Sequence, residues 1–210
     1  MSAPVVYAFK WVPPFAQGFV RDLRVRWALE EAGIAYDERL LGGNEHKKAP
    51  YRALQPFGQV PAYEEDGLAL FESGAIVLHI AERSTALMPA SDPGRAQTKS
   101  WMFAALSSVE PPILALRAVG DSPGPARDRA AALVDERLRS LAAALEGRPH
   151  LLGAFSAADL LMTTVLREVE SLASHPALEA YRDRCMTRPA FRKALADQLR
   201  PFAANAPAPA

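Results

Sequence analysis

Residues 44–82, NEHKKAPYRALQPFGQVPAYEEDGLALFESGAIVLHIAE, decide the fold. Two short runs meet at Glu65-Asp66-Gly67, and an Asp-Gly pair between alternating residues is a strong hairpin signal. Ser73 then opens a helical pattern through Glu82 that carries Ile76, Val77 and Ile80 inward. The predicted order here is strand, strand, helix. Upstream, Val5–Phe9 (VVYAF) is β-branched and aromatic over the length of a strand. Val25, Ala28, Leu29 and Ala32 recur at i, i+3, i+4 and i+7, and Gly33 stands where a left-handed cap closes such a helix. Residues 35–41 read as a second strand, parallel to the first where the helix crosses over. The first 85 residues therefore predict βαβ followed by ββα, with antiparallel strands beside parallel ones.

The composition changes from Ala86. Pro89, Asp92, Pro93 and Gly94 punctuate a linker, and the chain beyond them has helical periodicity over about 97–109, 125–145, 156–173, 177–187 and 190–199. The expected organisation is an α/β domain over 1–85, a linker over 86–94, an all-helical domain over 95–200 and a disordered Ala/Pro tail, PFAANAPAPA, over 201–210. Within the helical part, Ser156 and Asp159 are spaced for a capping box, the serine accepting from the third helical N–H and the acid reaching back.

Half of the 210 residues are hydrophobic and 23% are charged, which supports a packed core and excludes general disorder. Twenty-four Lys+Arg balance 24 Asp+Glu, so there is no basic field for nucleic acid or anionic lipid. No unbroken run approaches the roughly 18 apolar residues of a membrane span. The single cysteine, Cys185, forms no internal disulfide, reads as a buried apolar residue, and belongs to no Cys/His cluster of a metal site. A reducing, cytoplasmic setting without a metal is the expectation.

Three local features carry chemistry. Gly58-Gln59-Val60-Pro61 places a proline at the start of a strand, where it is either a trans edge residue or one of the rarer cis prolines. Phe71-Glu72-Ser73-Gly74 stands at a strand-to-helix junction. Ser73 there is either an ordinary N-cap or a carboxylate ligand at the positive helix end, with Glu72 placed to pair with an ammonium. His46-Lys47-Lys48 supplies cationic donors on the preceding loop, or is simply a solvated charged turn.

Taken in order, these motifs resemble the glutathione transferase family. RVRWALEEAGIAYDERLL, residues 44–82 and LLGAFSAADLLM carry the resemblance over nearly the whole chain, and the 13-residue steps from His46 to Gln59 and from Gln59 to Glu72 are most similar to the phi class. The resemblance implies a thioredoxin-like N-terminal domain, an all-α C-terminal helical bundle and a homodimer. It also implies glutathione as co-substrate: Glu72 and Ser73 would hold the γ-glutamyl end, Val60 before a cis Pro61 the cysteinyl backbone, and Gln59, His46 and Lys47 the glycyl carboxylate. A small hydrophobic electrophile would lie beside Trp11, Pro13 and Phe15 of the first loop and Trp101, Met102 and Ala105 of the helical domain. That last trio has core spacing as much as pocket spacing.

The resemblance breaks in one place. A transferase must generate a thiolate near neutral pH, and family members place a Ser, Tyr or Cys for this between the first strand and first helix. Here that loop, KWVPPFAQGFVRD from Lys10 to Asp22, has no Ser, Thr, Tyr or Cys. Phe19 or Pro13 falls at the serine position, depending on which side is aligned. Tyr7 in the strand, the Trp11 indole, Gln17, a backbone N–H near Gly18 and Arg21 are the remaining donors. The sequence does not choose among them.

Overall fold

The computed structural model describes residues 3–207 and divides into two compact units, 1–84 with 189–210 and 85–188. In the first unit the strands β1 (Val5–Phe9), β2 (Asp37–Leu41), β3 (Ala62–Glu65) and β4 (Leu68–Phe71) form one sheet in the order β2-β1-β3-β4. β1 pairs parallel with β2, while β1–β3 and β3–β4 are antiparallel. The parallel pair is joined through α1 (Asp22–Ala32), which ends as the sequence predicts: Gly33 takes φ 67° and donates to Leu29 and Glu30. α2 (Ala49–Arg52) is a single turn before β3, and α3 (Ser73–Ala81) follows β4.

The sheet's two faces do different work. Val6 and Ala8 point to the face where Val25, Ala28, Leu29, Ile76, Val77 and Ile80 are fully buried. Tyr7 and Phe9, on the other face, pack with Val20 and Leu54 against a smaller cluster of Leu41, Tyr51, Val60 and Ala62. Through Tyr51 and Val60, that second cluster anchors the segment leading into β3. The hairpin is tied to α3 through Glu65, which accepts from Tyr63 Oη at 3.0 Å and pairs with Arg83 at 2.8 Å and His79 at 3.2 Å. Burial works to raise its carboxyl, and these partners hold it below the usual range.

The last helix, α9 (Pro189–Ala204), belongs to this unit rather than to the helical one, where the boundary at 200 would have placed it. Phe191 meets the Trp27 ring of α1 edge-on at 4.9 Å. Gln198 donates to Val20 O at 2.9 Å and Asp22 Oδ1 at 2.7 Å, while Asp22 Oδ2 accepts from Arg26 at 2.8 Å. Burial pushes the Asp22 carboxyl up, opposed by Arg26 and Gln198. The expected tail is corrected at its start: Pro201 and Phe202 are buried residues of α9, because Phe202 has a core to enter. Residues 208–210 of that tail lie outside the described residues.

The second unit contains α4 (Asp92–Ala104), a π-helical stretch (Ala105–Val109), α5 (Glu110–Val119), α6 (Pro125–Ala144), α7 (Ala157–Leu166) and α8 (Pro176–Met186). The expected linker is shorter than 86–94. Ser91 caps α4 by accepting from Gly94 N at 3.3 Å, with Pro93 in the first turn, and Leu87 is buried with its carbonyl accepting from Ala157 N at 2.8 Å. α5 was not anticipated, since Pro111-Pro112 reads as a break; both prolines come directly after the π-helical stretch, where the i→i−4 ladder is already interrupted. Every residue of α7 is buried.

Residues 92–119 run as one helix of 28 residues with an 18-residue window of mean hydropathy 1.3, long and apolar enough by composition to cross a membrane. That corrects the expectation that nothing in the chain reaches this threshold, which rested on unbroken apolar runs. Ser107, Ser108 and Glu110 interrupt the run without lowering the average far enough. Thr98, Met102, Ala105, Val109 and Ile113 are buried at steps of three or four residues, with Glu110 buried beside Val109, and the helix packs against α6 and α7.

Candidate active site

A cavity of about 320 Å³ opens in the first unit where β1 ends, α1 begins and β4 turns into α3. This is within the size range of small-ligand sites. Its walls come from four segments: Phe9; Phe19 to Arg21 at the start of α1; His46; and the loop from Gln55 to Pro61, closed by Glu72 and Ser73.

The Gln55–Pro61 loop is the most constrained of these. Gln55 is buried, and its Oε1 accepts from Phe57 N at 2.8 Å and Gln59 N at 3.2 Å. The buried Tyr51 donates from Oη to Gln59 O at 2.6 Å. Gly58 takes φ +65°, and a Cβ there would lie 2.8 Å from the His46 carbonyl oxygen, so only glycine allows this approach. The loop and the His46 turn are thereby locked together. The Val60–Pro61 bond is cis, as the resemblance implied, and the β3 ladder begins at Ala62, leaving Val60 ahead of it at the cavity.

His46 stands edge-on to Phe9, ring centres 5.2 Å apart, and its buried Nδ1 has no hydrogen-bond partner. At the opposite side Glu72 precedes α3 with φ +68°, a strained conformation for a side-chain-bearing residue, and makes no capping bond. Ser73 is buried, with Arg24 Nη1 3.4 Å from its Oγ. An orphaned imidazole nitrogen, a carboxylate and a helix start with its hydroxyl thus converge on one cavity. Such a set matches a ligand carrying an ammonium and carboxylates.

Six of the seven residues named for glutathione, His46, Gln59, Val60, Pro61, Glu72 and Ser73, line this cavity; Lys47 is exposed beside His46 and does not. Tyr51, Gln55 and Gly58 were not named. Only the glycine inside PFGQVP gave a sequence signal. Trp11, Pro13 and Phe15 lie on the first loop outside the cavity walls, Phe15 being 79% exposed. In the helical unit Met102 and Ala105 are core residues and Trp101 is half-buried.

The structure also narrows the donors of the first loop. Tyr7 donates to the Glu64 carboxylate, and burial, with that carboxylate, pushes its phenol up to about 12. Gln17 Nε2 donates to Val12 O at 3.1 Å. Neither they nor Trp11 and Gly18 line the cavity, whereas Phe19 and Arg21 do. Among the described residues no three His, Cys, Asp or Glu side chains converge as a metal site.

Residues 16–82 match the family profile of the glutathione S-transferase N-terminal domain. Glutathione S-transferase 4 of Zea mays is 30% identical over 99% of this chain and 98% of its own length. The chain belongs to the glutathione S-transferase family. Among solved structures, a glutathione transferase from Burkholderia graminis with two glutathione molecules bound per subunit superposes with a TM-score of 0.78 at 25% identity, over 91% of this chain and 87% of that one. Yeast Ure2p in complex with glutathione shares the fold, with a TM-score of 0.77 at 22% identity over 92% and 93% of the two chains. The family's thioredoxin-like unit supplies the cavity, and its helical unit is the all-α part.

Proposed function

We propose that the chain binds glutathione in this cavity and transfers its thiolate to a small hydrophobic electrophile. The carrying observation is the convergence of Glu72, Ser73, Val60, Gln59 and His46 on one cavity. In this reading the Glu72 carboxylate pairs with the γ-glutamyl ammonium, and Ser73 with the N–H groups of α3 holds the adjoining carboxylate. The Val60 main chain pairs with the cysteinyl backbone as an added strand. His46 Nδ1 and Gln59, with Lys47 at the rim, meet the glycyl carboxylate. The electrophile lies against the first loop, near Trp11, Pro13 and Phe15. The enzyme works as a cytoplasmic homodimer in detoxification. Orientation of the two reactants supplies much of the rate.

A second reading, a glutathione-binding module without catalysis, is favoured by one observation: no hydroxyl or thiol stands on the loop that meets the cavity. Calorimetric titration with glutathione tests what both readings share, and micromolar-to-millimolar binding is expected. Steady-state conjugation of aryl halide, isothiocyanate and peroxide electrophiles separates them. Acceleration over the uncatalysed rate for at least one class supports the enzyme; none across the panel leaves the binding module.

A further inference from the structure

The cavity wall contributed by the start of α1 is apolar except at one residue. Phe9, Phe19 and Val20 offer no side-chain donor, and Arg21 comes next on the same wall. An apolar wall alone opposes ionisation of a thiol. Cys185, buried in the second unit, illustrates the effect within this molecule, its thiol being pushed up to about 11 chiefly by desolvation. Glutathione held by both ends, at Glu72-Ser73 and at His46-Gln59, has its cysteine between them, facing this wall. We propose that the Arg21 guanidinium stabilises the glutathione thiolate, taking the place of the absent hydroxyl; this rests on the glutathione-binding reading of the cavity.

Three observations carry the assignment. Arg21 carries the one side-chain donor between β1 and α1 whose residue lines the cavity; Gln17 is turned to Val12, Trp11 and Gly18 lie outside the walls, and the Phe19 N–H is spent on Ala16 O at 3.0 Å. The adjacent acid does not neutralise it, because the Asp22 carboxylate is buried and bonded to Arg26 and Gln198. Arg21 also stands at the N-cap of the 11-residue α1, where the helix adds positive potential of the same sign. The other charged or titratable side chains lining the cavity are His46 and Glu72. Arg21 accepts no proton in this role. The S–H bond breaks with both electrons left on sulfur, the proton passes to water at the exposed rim, and the guanidinium lowers the energy of the anion that remains.

The test titrates the thiolate ultraviolet absorbance of glutathione bound to the wild-type chain, Arg21→Met and Arg21→Lys, beside calorimetric affinity. Arg21 is exposed, so both variants retain the fold. The Met variant should raise the apparent pKa of the bound thiol by about one unit or more. Conjugation at neutral pH should fall about tenfold with a smaller change in glutathione affinity, and Lys should recover most of both. Equal pKa values in wild type and Arg21→Met, with glutathione still bound, overturn the assignment. A wild-type chain that binds glutathione without lowering its thiol pKa overturns it too, and leaves the binding reading standing. A wild-type chain that gives no binding heat and no ligand-induced shift in Tm removes the glutathione reading, and the role of Arg21 falls with it.

Discussion

Two of the helix starts built from a serine and an acid, those of α7 and α3, end in opposite states. At α7, Ser156 is the N-cap and Asp159 comes three residues later, so the carboxylate reaches back. It accepts from Ser156 N and Oγ at 3.0 Å each, Leu151 N at 2.9 Å and Tyr181 Oη at 2.9 Å. At α3 the acid comes first. Glu72 takes φ +68°, makes no capping bond, and with Ser73 faces the cavity. In a capping box the acid at the third helical position reaches back to the N-cap N–H, whereas Glu72, itself the N-cap residue, makes no side-chain bond to the first N–H groups of α3. The same residue types thus stabilise the chain at α7 and leave a ligand-binding end at α3.

The largest expected effect is at α7. Asp159→Ala strands four donors in a buried site, which should cost about 3 kcal/mol or more and lower Tm in thermal denaturation by roughly 6–12 °C. An unchanged Tm would erase the contrast, because it would mean that the α7 start does not depend on its internal acceptor.

Ser73→Ala should act in the opposite sense. Its stability effect should stay within about 1 kcal/mol, since no capping bond is lost, while glutathione affinity measured by calorimetry should fall about tenfold. A variant that loses Tm and keeps its affinity would make α3 an ordinary helix start.

The contrast was legible in the sequence to different depths. Ser156 and Asp159 carry their function in their spacing, and Glu72-Ser73 after a hairpin already places a serine at a strand-to-helix junction. Alternation in the strands, Asp66-Gly67 and Gly33 likewise specify the first unit locally. Tyr51 and Gln55 were not legible, because a polar side chain that supports a loop from inside is recognised only once the chain has brought them together. The same holds for α9: its amphipathic period predicts a helix without naming α1 as its partner. The prolines misled by position. Pro93 punctuates a sequence reading but is harmless in the first turn of α4, Pro111-Pro112 follow a π-helical stretch inside a continuous helix, and Pro201 is accommodated near the end of α9 beside the buried Phe202.

The smallest effect expected from the comparison is a pH dependence confined to the α7 side. His150 Nδ1 lies 3.8 Å from Asp159 Oδ1 and 3.9 Å from Cys185 Sγ. Burial holds its imidazole below the ordinary value of 6.5; Asp159 opposes this, and Arg184 and Arg188 add to it. A histidine whose folded pKa is depressed is protonated first in the unfolded chain. Its contribution to stability is complete above about pH 6.5 and is lost as pH falls from there through the folded value. His150→Gln should therefore flatten the Tm-versus-pH curve on the acid side of about 6.5, by about 1–2 °C across the window. Other groups titrate there as well, so the wild-type curve alone decides nothing; the difference between the two curves isolates the imidazole. Parallel curves would show that the α7 start is indifferent to this neighbour. The Ser73→Ala chain should keep the wild-type slope, since its substitution touches only the start that faces the cavity.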